Sequence, residues 1–256
     1  MKQGKKYKIG LALSGGGIRG LSHAGALLAM EELNIKPEII SGVSAGSIVG
    51  ALYADGHKPL EIARMFENIS FKKMTKLMVP EGGFFSIAAF ERFLSKKLRS
   101  KTFEELNIPL KIVATNFDTG IPETFYEGNL LKPVIASSSI PVLFTPQKIK
   151  NNYYVDGGLL KNFPVSTIRE DCDLVIGVNA GPLVAKEYKV HIMDVAFRTY
   201  HFMFRANTLP DKEICDIIIE PENIYDFDLF ETDKIAEIFD SGYQTAKEVL
   251  NANGFH

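Results

Sequence analysis

The chain has 256 residues, 46% hydrophobic and 23% charged, which is enough apolar material for one large core without a second domain. A formal net charge of -2 gives no global pull toward nucleic acid or anionic lipid, so nucleic acid is not an expected partner and any lipid contact must come from a local patch. Two cysteines, Cys172 and Cys215, are too few and too far apart for a metal cluster or a disulfide framework, which fits a reducing compartment and buried thiols.

Lys2, Lys5, Lys6 and Lys8 precede an apolar stretch, Ile9 to Leu13, that is far shorter than the hydrophobic region of a secretory signal. No apolar run reaches the ~18 residues that cross a bilayer. The expected location is therefore cytoplasmic, with at most peripheral contact at a membrane. Lys8 to Leu13 predicts a first strand. A glycine loop follows, then a helix over Leu21 to Leu33, whose Leu21, Ala24, Leu27, Leu28 and Leu33 recur at helical spacing. The β-branched run at Ile39-Ile40 predicts a second strand, and Ala45 to Ala54 predicts the helix that leaves it.

Short apolar runs bounded by turn-forming residues predict strands at Leu110 to Thr115, Thr124 to Tyr126, Tyr153 to Val155, Leu174 to Val178 and Ile217 to Ile219. Helices are expected over Ile87 to Leu98, His191 to Ala206 and Thr232 to Leu250. The alternation predicts an α/β fold, one domain over residues 1–256, with a mainly parallel sheet covered on both faces. Met65 to Phe85 mixes Phe66, Phe71, Met74, Met78, Phe84 and Phe85 with Lys72, Lys73 and Lys76. It reads either as an insertion packed on the core or as a lid or membrane-contacting surface. The aromatic and methionine content from Met65 to Phe93 also suggests an adaptable groove for an acyl chain.

Between the second strand and its helix lies Gly42-Val43-Ser44-Ala45-Gly46, the Gly-x-Ser-x-Gly spacing of a nucleophile elbow. Gly42 and Gly46 let strand and helix approach closely, so Ser44 projects from a sharp turn at a helix N-terminus. The loop Ser14-Gly15-Gly16-Gly17-Ile18-Arg19-Gly20 also joins a strand to a helix, and its amides can converge on an anion. A dinucleotide site would need an acidic residue at the end of the next strand, which instead runs through Ile40-Ser41-Gly42 into the elbow. A Walker-type loop would need a lysine where Leu21 follows Gly20. An oxyanion hole, formed by the amides of Gly15, Gly16, Gly17, Ile18 and Arg19, accounts for both the glycines and the neighbouring serine.

A serine nucleophile needs a group to take its proton. Among the five histidines, His57 lies on a polar turn, His23 in the first helix, His191 and His201 in a late helix, and His256 at the chain end. None follows a strand in a glycine-flanked turn. Asp156 does, in Tyr153-Tyr154-Val155-Asp156-Gly157-Gly158, at a strand end where ligands of α/β sheets gather. Two roles are open to it: a base for Ser44, or a cap for the amides of its own turn. An ordinary aspartate, with a pKa of about 3.9, is a poor base at neutral pH, so the first role requires desolvation.

Taken together, Gly15-Gly16-Gly17-Ile18-Arg19-Gly20, Gly42-Val43-Ser44-Ala45-Gly46 and Asp156-Gly157-Gly158 resemble, in that order, the motifs of the patatin-like phospholipases, compact bacterial type. Ala136-Ser137-Ser138-Ser139-Ile140-Pro141 is similar to that family's Ser/Pro-containing stretch. The resemblance covers about Ile9 to Arg169 and extends to the strand at Asp173 to Asn179 and the final helix. It implies a three-layer α/β/α sandwich and a calcium-independent acyl hydrolase without cofactor or metal. In that reading Ser44 is the nucleophile, Asp156 the base of a Ser-Asp dyad without histidine, and Gly15 to Arg19 the oxyanion hole. Gly42, Gly46, Gly157 and Gly158 shape the turns. The expected partner is a lipid or small acyl ester. Two alternatives remain open, a catalytically weak regulatory or lipid-binding protein of the same fold and a dinucleotide-binding oxidoreductase. Arg19 has two open roles, attracting a phosphate or carboxylate and anchoring its loop.

Overall fold

The computed structural model describes residues 5–67, 76–77, 83–181, 191–221, 223–224, 227 and 232–256. In chain order the elements are β1 (Tyr7–Leu13), α1 (Leu21–Glu32), β2 (Ile39–Val43), α2 (Ala45–Ala54), α3 (Pro59–Phe66), β3 (Lys76–Leu77), β4 (Gly83–Ser86), α4 (Ala88–Lys97), β5 (Leu110–Asn116), β6 (Ile121–Phe125), α5 (Leu131–Ser137), β7 (Val142–Phe144), β8 (Gln147–Ile149), β9 (Asn152–Asp156), β10 (Cys172–Val178), α6 (Ile192–Glu213), β11 (Ile217–Ile219) and α7 (Ile235–Ala252). Short 3-10 turns, among them Gly17–Gly20 and Gly157–Leu159, fill several connections.

The central sheet has the order β11-β10-β1-β2-β5-β9-β8, with β6 paired to β5 off this path. From β11 to β5 all pairings are parallel, and β6, β9 and β8 join antiparallel. The mainly parallel α/β sheet expected from the sequence is present. Alternation along the strands explains why they read as continuous apolar runs. In β1, Leu11 and Leu13 face the larger core with Ile40, Ile176 and Val178, while Ala12 faces a second core with Ile39, Phe163 and Val175. Helices α1, α3 and α7 pack together on the larger core. The irregular segment after β9, together with α6, covers the other face, completing the three layers.

Two helices were not anticipated. α3 begins with Pro59 in its first turn, and the Lys58 amide donates to Glu61 Oε2 at 3.1 Å. α5 is only seven residues long and contains Pro133, so it lacks the length that makes a periodic pattern visible. α6 continues past Ala206 to Glu213 because Asn207 and Asp211 extend its inward face. Residues 68–75 and 78–82 of the stretch read as a lid or insertion lie outside the described residues. Where the proposed acyl groove is described, Phe66 and Phe90 are buried and pack on Phe93 at ring separations of 5.7 and 6.1 Å, so these rings belong to the core. Cys172 is a buried thiol as expected, whereas Cys215 is only partly buried.

One register brings the chain's distant turns together. A strand has two hydrogen-bonding edges. On β5, β6 occupies one of them over Ile112–Asn116. β2, paired over Leu110–Val113, and β9, paired over Ala114–Asn116, must therefore share the other. Val43 is opposite Val113, and Asp156 is opposite Ala114. The last residue of β2 and the last of β9 thus meet head to head, one strand residue (~3.3 Å) apart.

Candidate active site

Ser44 follows β2 directly and precedes α2, at φ 51° and ψ -123°. A non-glycine residue with such a backbone persists only where its surroundings enforce it. Here the surroundings are explicit. The Ser44 amide donates to Ser137 Oγ at 2.8 Å, and that hydroxyl donates onward to the Val113 carbonyl at 2.6 Å. The Ser44 carbonyl accepts from Ser47 Oγ at 2.6 Å. A Cβ at Gly46 would collide with the Leu13 carbonyl, so only glycine lets α2 pass this close to the end of β1.

The Ser44 hydroxyl donates to Asp156 Oδ2 at 2.6 Å. The other oxygen of Asp156 accepts from the Gly158 amide at 2.8 Å, so the capping contact and the contact to Ser44 coexist on one carboxylate. The Asp156 amide is held by the Ser139 carbonyl at 2.8 Å. Asp156 is fully buried, and burial pushes its pKa up from 3.8 to about 7, against the opposing pull of the Ser44 and Gly158 hydrogen bonds and of the Tyr200 hydroxyl. The desolvation that an aspartate base requires is therefore built into the site.

Beside Ser44 lies the glycine loop between β1 and α1. The Gly15 amide donates to the Asn162 carbonyl at 3.1 Å, which removes it from the set of open donors. Among the described residues, no acceptor engages the amides of Gly16, Gly17 and Ile18, which open a 3-10 turn. The loop itself is firmly tied. Ser14 donates its amide to the Val178 carbonyl at 3.1 Å, and its hydroxyl accepts from the Ala180 amide at 2.9 Å. His23, fully buried with its pKa lowered by desolvation to about 4, is neutral and bonds the Ser14 carbonyl through Nε2 at 2.8 Å. Arg19 Nε donates to the Phe227 carbonyl at 2.7 Å, the anchoring role of the two left open by the sequence.

The structure thus brings together Ser44, Asp156, the Gly16–Ile18 amides, Gly42, Gly46, Gly157 and Gly158. Sequence reasoning gave no role to Ser137 and Ser139, although their run had been noticed, and passed over Asn162, His23 as a loop anchor, and Tyr200. Ser137 and Asn162 act across long sequence separations, where no local pattern signals them. Chemically, the arrangement holds a hydroxyl against a proton acceptor beside unfilled amide donors, the parts needed to attack a carbonyl and receive its oxyanion. Among the described residues, no cluster of His, Cys, Asp or Glu gathers as a metal site.

A family model described as "Patatin-like phospholipase" matches residues 11–169. The chain is 31% identical over 180 residues to "Lysophospholipase NTE1" of Kluyveromyces lactis, covering 68% of this chain and 12% of that protein. It is 30% identical over 185 residues to "Patatin-like phospholipase domain-containing protein 6" of Homo sapiens, covering 68% of this chain and 13% of that protein. The chain therefore spans only a small part of the length of these relatives. Among solved structures, VipD from Legionella pneumophila shares the fold with a TM-score of 0.54 at 16% identity, over 97% of this chain and 67% of that one. Human GIVD cytosolic phospholipase A2 in complex with a fluorophosphonate has a TM-score of 0.50 at 10% identity, over 96% and 58%.

Proposed function

The chain belongs to the patatin-like phospholipase family, and from that premise we propose that it is a serine acyl hydrolase that cleaves fatty acyl esters of lipids through Ser44 and Asp156. The observation that carries the reading is the 2.6 Å hydrogen bond from Ser44 Oγ to a buried carboxylate, beside amides that no acceptor engages among the described residues.

In this reading Asp156 Oδ2 takes the Ser44 proton as Oγ attacks the ester carbonyl. The carbonyl electron pair moves onto oxygen, and the Gly16, Gly17 and Ile18 amides receive the resulting anion. Collapse of the tetrahedral species breaks the bond to the alkoxide, which leaves with the proton held by Asp156. Water then attacks the acyl-Ser44 ester while Asp156 takes its proton, and the proton returns to Ser44 as the fatty acid departs. A pKa of about 7 suits the carboxylate to both halves of this cycle near neutral pH.

Residues 1–256 act as one domain in this proposal, supported by a sheet that interleaves β10 and β11 from late in the chain with β1. The site works in the cytoplasm, at the surface of a membrane that supplies its substrate. The outer stripe of α6 supports peripheral contact there, since Ile192, Val195, Phe202 and Leu209 are exposed. Among the described residues, no helix is long and apolar enough to cross a membrane.

A fluorophosphonate probe followed by peptide mapping tests the assignment. Labelling at Ser44, lost in Ser44→Ala and strongly slowed in Asp156→Asn, is expected, together with turnover of lysophospholipid or short acyl esters. A folded protein that neither labels at Ser44 nor hydrolyses any member of an ester panel would instead be the regulatory or lipid-binding form of the fold.

A further inference from the structure

One face of α6 is turned toward the segment that carries Asp156. Tyr200, Phe204, Asn207 and Asp211 follow one another at helical spacing along it. Asn207 Nδ2 donates to the Gly158 carbonyl at 2.9 Å, and its Oδ1 accepts from the Asn162 amide at 2.7 Å. Asp211 accepts from the Ser166 amide at 2.5 Å and from Lys161 Nζ at 2.7 Å. The Phe204 ring lies so close to Gly158 that a Cβ there would be 2.8 Å from it.

Tyr200 is the fourth member of this face and differs from the others. Its ring packs on Phe204 at 4.2 Å, while its hydroxyl is buried and, among the described residues, has no hydrogen-bond partner. Through Phe204, Tyr200 sits on the turn whose Gly158 amide is held by Asp156, and burial, together with the negative charge of Asp156, pushes the phenol well above its ordinary value. Tyr200 is therefore protonated and available as a donor, with Asp156 as its neighbouring acceptor. A buried hydroxyl left unpaired in a native site calls for an explanation, and hydrogen bonds at such sites often tighten only once substrate is bound.

We infer that Tyr200 is a positioning residue for the base: its O–H donates to the Asp156 carboxylate once substrate is bound, steadying that carboxylate against Ser44. The inference rests on the hydrolase reading above. No bond is made or broken at Tyr200, which keeps its proton throughout.

The groups acting on Asp156 from the elements around it are the Ser44 hydroxyl, the Gly158 amide and Tyr200. Other ionisable groups at this end of the molecule are engaged elsewhere. His23 bonds the Ser14 carbonyl, Arg19 the Phe227 carbonyl and Lys161 Asp211, while Arg19 and Arg198 act on His201. Among the described residues, Tyr200 is thus the ionisable side chain whose removal is read directly at Asp156.

The test is the pH profile of Ser44 labelling by a fluorophosphonate, paired with kcat/KM for a short acyl ester, in the full chain and in Tyr200→Phe, with thermal unfolding as a check of the fold. Loss of the donor is expected to move the acid limb up by about half to one pH unit, slowing labelling at pH 6 by about three- to tenfold while the rates converge at alkaline pH. Replacing Tyr200 with a fluorotyrosine, a stronger donor, is expected to move the limb down and does not depend on Tyr200→Phe folding. A limb that stays in place in both variants, or a uniform loss at every pH, overturns the inference and leaves the hydrolase reading intact. If Ser44 is not labelled in the unsubstituted protein, the hydrolase reading falls and this inference falls with it.

Discussion

Two adjacent strand-to-helix turns, β1 into α1 and β2 into α2, are made in opposite ways. At the elbow the backbone is satisfied: the Ser44 amide is held by Ser137 and its carbonyl by Ser47, leaving the side chain to donate to Asp156. In the glycine loop the side chains are missing, the flanking Ser14–Gly15 peptide is pinned from both sides, and the amides that follow are left open. A hydroxyl is positioned by satisfying the backbone beneath it. In the proposed mechanism, an anion hole is made by withholding that satisfaction over three residues and tying down the ends.

The largest effect should come from deleting the side-chain half of this pairing. Ser44→Ala is expected to lower kcat by at least ~10⁴-fold with the fold retained, as measured by ester hydrolysis and thermal unfolding. Breaking the backbone half comes next. A Cβ at residue 16 would lie 2.8 Å from the Ala180 carbonyl, so Gly16→Ala must displace the loop. We expect kcat to fall by about 10²–10³-fold, the range for a lost oxyanion donor, while Ser44 is still present.

Acid silences only the side-chain half. With Asp156 at about 7, the ionised base is lost below neutrality. kcat/KM should fall about tenfold per pH unit on the acid side, or about a hundredfold two units below the midpoint. The same shift has a cost in stability. Because the folded carboxyl binds its proton more tightly than the ordinary value of 3.8 allows, the folded state loses stability as pH rises from about 4 to about 7. Asp156→Asn should escape that loss and exceed the unsubstituted protein in unfolding temperature at pH 8 but not at pH 4. Within the two turns the smallest kinetic effect is expected for Ser137→Ala, which strips the Ser44 amide and the Val113 carbonyl of the Ser137 hydroxyl. We expect a loss of about 1–3 kcal/mol in denaturant unfolding and about a tenfold fall in kcat as the elbow relaxes.

How far the sequence could be read follows the same division. β1, β2, β5, β10 and β11 were legible because a strand buried on both faces is apolar throughout. Ser44, Asp156 and the glycine loop were legible because each is a turn whose chemistry is written in consecutive residues. The edge strand β8 and the short helix α5 left no clear period. The partners that hold the turns in place were hidden for a different reason. Ser137 reaches Ser44 across 93 positions and the Ala180 amide reaches Ser14 across 166, distances over which composition and periodicity carry no information. The Gly15 amide illustrates the limit. It belongs to the legible motif, yet its engagement by Asn162 is visible only in three dimensions.

Because β2 and β9 abut along a single edge of β5, the hydroxyl and its proton acceptor come from segments 112 residues apart that become neighbours only once β9 has docked. An emerging or half-assembled chain carries the serine long before it carries the means to activate it. In the proposed mechanism, hydrolytic power is thus a late product of maturation, absent until the sheet is complete.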